Sequence, residues 1–436
     1  KETGGYKLAL NSYLMVPFMA VLGPTEFAVR LPVALSGVLA VGLTYYLCFF
    51  LFKSARASLF AALLLAVSPW AVSMGRYGVD VNLGVPLFLS GLIFFLKART
   101  QPKLLCLSAV FFALTYYTYF NYIVFTVLFL TGLFWLERKW LFSSANRRWV
   151  IAFIAIQIIF GLPYLLQPTL LVRFSQATSV GKIGFTNQTN EHRQACAATY
   201  SPLICKAFYN KVLSRFWEIG RNYINHYSTT TLFLYGSQLG LSGMPDRSGF
   251  FYLIEFPFII FGIFALIRHK QFSPLLVLWL FLYGLPSSLA GEAHIWRMMT
   301  LLPVPQLIAG YGLSKLPSII KLPGVRLFTA VGLSFFVARF LVDYFGYFPF
   351  AQARFSYFGF RDVYRYLAPI EKNYPQIVVA PTKLGFGQLY IYYVFYRRFD
   401  PSVFQRNEGI VRITGEQNWV TVPKIGKYHF VADLRE

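Results

Sequence analysis

Residues Ala28 to Phe52 read AVRLPVALSGVLAVGLTYYLCFFLF, and Lys53-Ser54-Ala55-Arg56 follows. One charge interrupts an apolar run longer than the ~20 residues a helix needs to cross a bilayer, and two basic residues close it. The pattern repeats outward from this stretch. Apolar segments at 57–73, 83–97, 104–118, 119–136, 149–166, 251–267, 273–289, 298–314 and 327–342 predict about ten transmembrane helices, several nearer 15–17 residues. The segment 8–22 is also apolar, but Pro17 and its short length predict a helix lying on the membrane.

Composition agrees. The chain of 436 residues is 56% hydrophobic and 13% charged, against about 25% charged in soluble domains. This excludes a soluble enzyme, a disordered tail and a coiled coil. The net charge of +23 is read as topology and affinity for anionic lipid rather than nucleic acid. Alternate connections carry Lys53 and Arg56; Lys97, Arg99 and Lys103; Arg138, Lys139, Arg147 and Arg148; Arg268 and Lys270; and Lys315, Lys321 and Arg326. Only one acid, Glu137, falls among them. The positive-inside rule sets these loops in the cytoplasm. The opposite, outer face then holds the amino-terminal stretch to about 27, a loop at 74–82, a long loop at 167–250, a loop at 290–297 and a tail from about 343. Cys196 and Cys205 share the long outer loop, where an oxidising compartment permits a disulfide.

The organisation expected is a membrane domain over 1–345, with 167–250 as its large outer loop, and an outward soluble α/β domain over 346–436. In the tail, 360–372 reads as an amphipathic helix, 376–381 as a buried strand, 387–396 as a helix or aromatic strand, and 409–422 and 426–433 as strands.

The chain has no HExxH, CxxC or Walker loop, and its five His show no metal-ligand spacing. Gln157 is the main polar residue within the spans. Lys7, Arg30, Arg76, Asp80, Glu255, His294, Arg297 and Arg339 gather instead near the outer interface, which suits a site handling a lipid headgroup. Two segments stand out. Ser68-Pro69-Trp70-Ala71-Val72-Ser73-Met74-Gly75-Arg76-Tyr77-Gly78-Val79-Asp80 ends one helix and begins the next. Its Arg76 and Asp80 either hold each other as a helix cap or meet a substrate. Leu285 to Arg297 puts His294 and Arg297 beside a helix start, suited to a phosphate; snorkelling is the plainer role for that arginine. Arg339 and Asp343, one turn apart, should neutralise each other. Tyr116-Tyr117-Thr118-Tyr119-Phe120-Asn121-Tyr122 is an aromatic belt or, alternatively, a sugar-stacking wall.

The order of these motifs resembles the bacterial branch of the dolichyl-phosphate-mannose protein mannosyltransferase family, membrane glycosyltransferases of the C-type fold, to which the lipid A aminoarabinose transferases are similar. Gly23-Pro24-Thr25-Glu26-Phe27-Ala28-Val29-Arg30-Leu31-Pro32 looks like the signature before that family's second membrane helix. The Ser68–Asp80 segment looks like its second outer loop, and Gly249 to Gly262 and Pro286 to Arg297 match in order, over about residues 5–345. The resemblance implies an all-α polytopic fold and inverting transfer of a sugar from a polyprenyl-phosphate donor to a hydroxyl on a protein, glycan or lipid acceptor. It places the reaction at the outer face of a bacterial plasma membrane. It implies Asp80 as the catalytic acid group of this chain, Lys7, Arg297 and His294 at the donor phosphate, and Arg76, Arg247 and Glu255 in support.

The family's principal acid lies in an Asp-Glu pair after a first membrane helix, upstream of Lys1, so the resemblance also implies an amino-terminal truncation. Phe120 and Ile123 depart from the His and Arg many relatives carry there. Two other functions fit a polytopic chain: a polymerase or ligase of lipid-linked glycans, and a non-enzymatic transporter or flippase of lipid-linked sugars. The one-sided polar face speaks against the last. Sugar, acceptor and metal dependence are not legible in the sequence.

Overall fold

The computed structural model describes residues 8–166, 183–236, 243–245, 248–319, 324–353, 358–380, 389–414 and 420–431. The chain is mostly helical, with one small sheet near its carboxy terminus. In order, the helices are α1 (Leu10–Leu22), α2 (Glu26–Phe52), α3 (Ala55–Val67), α4 (Pro69–Tyr77), α5 (Val81–Lys97), α6 (Leu104–Thr115), α7 (Phe120–Leu136), the single turn α8 (Arg138–Leu141) and α9 (Arg147–Leu165). Then come α10 (Ile183–Ala197), α11 (Pro202–Phe208), α12 (Lys211–Asn225), α13 (Glu255–Arg268), α14 (Pro274–Leu282), α15 (Gly284–Ala290), α16 (Val304–Ile319) and α17 (Val325–Val342).

Every apolar segment is helical, but the expected count of about ten membrane helices is not met. Among the described residues, Glu26–Phe52, Arg147–Leu165 and the continuous run Val325–Ala353 are long and apolar enough to cross a membrane, and a fourth appears if α3 and α4 count as one span. The reason is local. Pro69 lacks an N–H and pushes Ser68 to an extended ψ of 129°, so the segment read as 57–73 becomes two helices bent by 53°. The segment 273–289 is divided into α14 and α15, and 298–314 opens as a 3-10 turn at Arg297–Leu301 before α16 begins. Other helices are simply short: α6 has 12 residues, about 18 Å at ~1.5 Å per residue, against a hydrocarbon core of ~30 Å. The apolar helices still make this an integral membrane protein.

One large aromatic-rich core joins these helices, with Trp70, Phe88, Phe112, Phe129 and Trp279 at its centre. Glycines let backbones meet around α16. A Cβ on Gly310 would lie 2.6 Å from the Ala61 backbone nitrogen in α3, and one on Gly262 of α13 would lie 2.1 Å from the Ile308 carbonyl oxygen. Gln157 is fully used: Tyr116 donates to its Oε1 at 2.5 Å, and its Nε2 donates to the Ala109 carbonyl at 2.7 Å. Arg339 and Asp343 pair at 3.6 Å, as their spacing predicts. Cys196 and Cys205 are bonded, tying α10 to α11.

The carboxy-terminal residues have a core of their own. The amphipathic helix α19 (Phe360–Ile370) follows the six-residue α18 (Phe348–Ala353) and buries Tyr364; α20 (Tyr390–Tyr396) and α21 (Pro401–Arg406) follow. The sheet has the order β1-β4-β3-β2, with β1 (Ile377–Val379) parallel to β4 (Tyr428–Phe430) and the other pairings antiparallel. The segment 409–422, read as a single strand, contributes both β2 (Ile410–Thr414) and the start of β3 (Val420–Ile425), paired with each other. This unit touches the start of α2: Tyr396 donates to Glu26 at 3.2 Å, and Arg361 lies 3.6 Å from the same carboxylate.

Candidate active site

Asp80 occupies the turn between α4 and α5. Gly78 makes that turn with φ +81°, in the left-handed region, and packs so closely on Arg30 that a Cβ would lie 3.1 Å from the arginine Cγ. Two residues after Asp80, Asn82 is buried and donates to the Val33 carbonyl at 3.2 Å and lies 3.3 Å from the Ser36 hydroxyl. The start of α5 is thereby locked to α2. Asp80 stands at the amino-terminal cap of α5, but its side chain makes no capping hydrogen bond.

The loop before Arg297 is pinned from several sides. Trp70 donates its indole N–H to the Ile295 carbonyl at 3.1 Å, and Asn121 donates to the Arg297 carbonyl at 3.0 Å. The guanidinium itself donates to the Ala290 carbonyl at 3.3 Å, and the charges of Arg297 and Asp80 both act on the Tyr119 hydroxyl. Tyr119 thus joins two charges more than two hundred residues apart in sequence. His294 accepts the Trp296 backbone N–H on Nδ1 at 3.3 Å, which leaves its proton on Nε2. Burial, and next the positive charge of Arg297, push its pKa down to about 4, so it is neutral at physiological pH. Its Nε2 is therefore a neutral hydrogen-bond donor rather than part of a cation.

A cavity of about 710 Å³ lies between α2, the α3–α4 bend and α5; Asn82, two residues after Asp80, is in its wall, while Asp80, Tyr119, His294 and Arg297 are not. Its walls are apolar, from Leu31 and Ala34 to Val85, while Glu26, Arg30 and Arg76 also line it. Arg76 is held over the rings of Tyr344 and Phe345, at 5.2 and 4.9 Å. An apolar cleft edged by two guanidinium groups suits an acyl or prenyl chain ending in an anion.

Of the residues singled out in the sequence, Asp80, Arg297 and His294 share one region, and Arg76 lies by the neighbouring cavity. Glu255 is buried and tied to the Tyr252 backbone N–H at 3.0 Å instead. Lys7 and Arg247 lie outside the described residues. Tyr119 and Asn121 were visible in the sequence only as part of a tyrosine-rich stretch; their contacts with Arg297 span 178 and 176 residues. Among the described residues no group of three or more His, Cys, Asp or Glu side chains is placed to hold a metal ion.

No curated protein sequence matches the chain. Among solved structures, the chain is similar to ArnT from Cupriavidus metallidurans in the apo state, with 14% identity and a TM-score of 0.31 over 69% of this chain and 66% of that one. It is also similar to the archaeal oligosaccharyltransferase AglB from Archaeoglobus fulgidus in complex with an inhibitory peptide and a dolichol-phosphate. There the identity is 13% and the TM-score 0.45, over 90% of this chain and 51% of that one. The chain therefore spans about half to just under two thirds of the length of these structures. A family model matches residues 9–166, the stretch that runs from α1 through α9 and contains Asp80, Tyr119 and the cavity wall. Over those residues the resemblance read from the order of the motifs is borne out: the chain matches the dolichyl-phosphate-mannose-protein mannosyltransferase family.

Proposed function

We propose that this protein transfers a sugar from a polyprenyl-phosphate-sugar donor to a hydroxyl acceptor, with inversion, at the outer face of a bacterial plasma membrane. The observation that carries the reading is the meeting of Asp80 and Arg297 around the Tyr119 hydroxyl, next to an apolar cavity edged by Arg30 and Arg76. The match of residues 9–166 to the mannosyltransferase family supports it.

The chemistry follows from these groups. Asp80 accepts the proton of the acceptor hydroxyl as its oxygen bonds the anomeric carbon. The bond from that carbon to the phosphate oxygen breaks, and the phosphate leaves as an anion. Arg297, with Lys7, offsets the charge developing there, and His294 donates from Nε2. Arg76 and Arg247 support the site. The prenyl chain lies in the 710 Å³ cavity. Residues 1–345 form the transferase domain in this reading, and 346–436 an outward unit beside it. The one-sided gathering of charge favours transfer over passage of a lipid-linked sugar through the membrane.

The test is transfer by the full-length protein in liposomes supplied with a polyprenyl-phosphate sugar. Asp80→Asn should abolish product while the purified protein keeps its melting temperature; undiminished transfer would overturn the reading.

A further inference from the structure

Helix α12 is amphipathic in an inverted sense. Its polar side turns inward: Ser214, Arg215 and Glu218 are half-buried, Asn222 is buried, and Arg215 pairs with Glu218 at 3.2 Å. Its apolar side turns outward. Trp217 is 78% exposed and Phe216 70% exposed, and Val212 and Ile224 lie on the same face. The preceding α11, bound to α10 through Cys196–Cys205, adds Leu203 and Phe208, also exposed. A helix facing water does the reverse, and an exposed apolar patch of this kind marks a contact surface.

The carboxy-terminal end of this surface is anchored to the apolar segment 274–290. Tyr223 donates to the Phe281 carbonyl at 2.8 Å, and Tyr227 to the Leu280 carbonyl, both at the end of the apolar helix α14. Tyr283 donates to the His226 carbonyl at 2.7 Å, and the His226 ring meets the Ser287 hydroxyl at 2.6 Å. The carboxy-terminal end of α12 is thus seated against the last turn of the apolar helix α14, beside the exposed ring of Phe281. Like the apolar face of α12, α14 leaves apolar side chains exposed, Val277 and Phe281 among them. Charge is complementary to phosphate: Lys206, Lys211 and Arg221 are exposed, while Glu218, the sole acid between 202 and 225, is occupied by Arg215. A groove of about 910 Å³ along the same helix, with Trp217, Ile224 and Arg221 in its wall, leaves room for a lipid chain and headgroup.

We infer that α11 and α12 lie on the bilayer as an interfacial anchor, with Phe216 and Trp217 in the acyl–headgroup boundary and Lys206, Lys211 and Arg221 at lipid phosphates. The occupant is the lipid of the protein's own membrane. The inference uses the integral-membrane character of the chain and not its transferase activity.

The test is tryptophan fluorescence of the full chain in nanodiscs of phosphatidylcholine with phosphatidylglycerol. The contribution of Trp217 is the difference between the wild type and Trp217→Phe. Brominated acyl chains should lower that contribution by about twofold or more, since interfacial helices sit ~5–10 Å into the boundary, and aqueous iodide should leave it nearly unchanged. Phe216→Trp in the Trp217→Phe background carries the reporter to the adjacent position of the same face and should give the same pattern. Strong quenching by iodide with none by bromolipid would overturn the inference and mark the face as a surface for water or a soluble partner. Neither readout depends on transfer, so failure here and failure of the transferase reading are separate events.

Discussion

Glu371 and Asp80 stand in two regions that handle charge differently. Glu371, beside the carboxy-terminal sheet, is consumed by its neighbours: Arg397 meets Oε1 at 2.7 Å, the Tyr428 hydroxyl meets Oε2 at 2.5 Å, and Lys427 donates to its backbone carbonyl. Both carboxylate oxygens are thus engaged within the unit. Asp80 gives no cap to its own helix and faces the surroundings of Tyr119, which Arg297 enters from the far end of the chain. An acid saturated by fixed donors holds a fold together. In the proposed function, an acid that shares its surroundings with a cation is placed for chemistry. The contrast can be broken by asking whether each substitution acts on rate or on stability.

The largest effect expected is on rate. Asp80→Asn should reduce transfer by about 10²-fold or more, the range for loss of a general base, with the thermal unfolding midpoint of the detergent-solubilised protein unchanged. A parallel loss of stability would put Asp80 in the same class as Glu371. Next, Arg297→Ala should raise the donor KM by about tenfold, in line with the ~1.5–3 kcal/mol of hydrogen bonds to charged groups. Steady-state kinetics at varied donor would reveal a pure kcat effect, which would remove Arg297 from donor binding.

Glu371→Gln sharpens the other side. It should destabilise the carboxy-terminal unit by about 1–3 kcal/mol, because Arg397 loses its counter-charge in a half-buried place. Transfer per folded molecule should hold, and limited proteolysis of the tail alongside activity would separate the two. The smallest effect concerns His294. Its folded pKa of about 4 lies below the ordinary 6.5, so the unfolded chain binds the extra proton first. Its contribution is therefore complete above pH 6.5 and is lost as pH falls from 6.5 towards 4. His294→Gln should flatten that part of a stability-against-pH curve; an identical slope in both proteins would count against the burial of this ring.

The helices were legible wherever hydropathy alone decides, and α2 was read within two residues of its observed start. The breaks were less so. Pro69 was in view as a break, but not the packing that goes with it: Trp70 stacks on Phe250 and donates to the Ile295 carbonyl, far along the chain. The strand region 409–422 was read as continuous because β-propensity does not mark where pairing turns back. In the site, Asp80, Arg297 and His294 drew notice as charged or titratable groups beside helix ends. Tyr119 and Asn121 did not, since a tyrosine at a membrane boundary is ordinary until its partner is known. Glu255 matched a motif but is engaged with Tyr252.

The glycine contacts around α16 bear on how this protein can move. Where Gly310 meets Ala61 and Gly262 meets Ile308, backbone touches backbone, and no side-chain rotamer lies between to yield. Sliding of α3 or α13 along α16 would drive main-chain atoms into one another, so these three helices behave as a stiff block. Helix α4 leaves that block through the α3–α4 bend and leads to the turn at Asp80, and the loop before Arg297 is pinned to α4 through Trp70 and to α7 through Asn121. Any movement at the site therefore has to come from its turns and side chains, not from sliding of the helices beneath it.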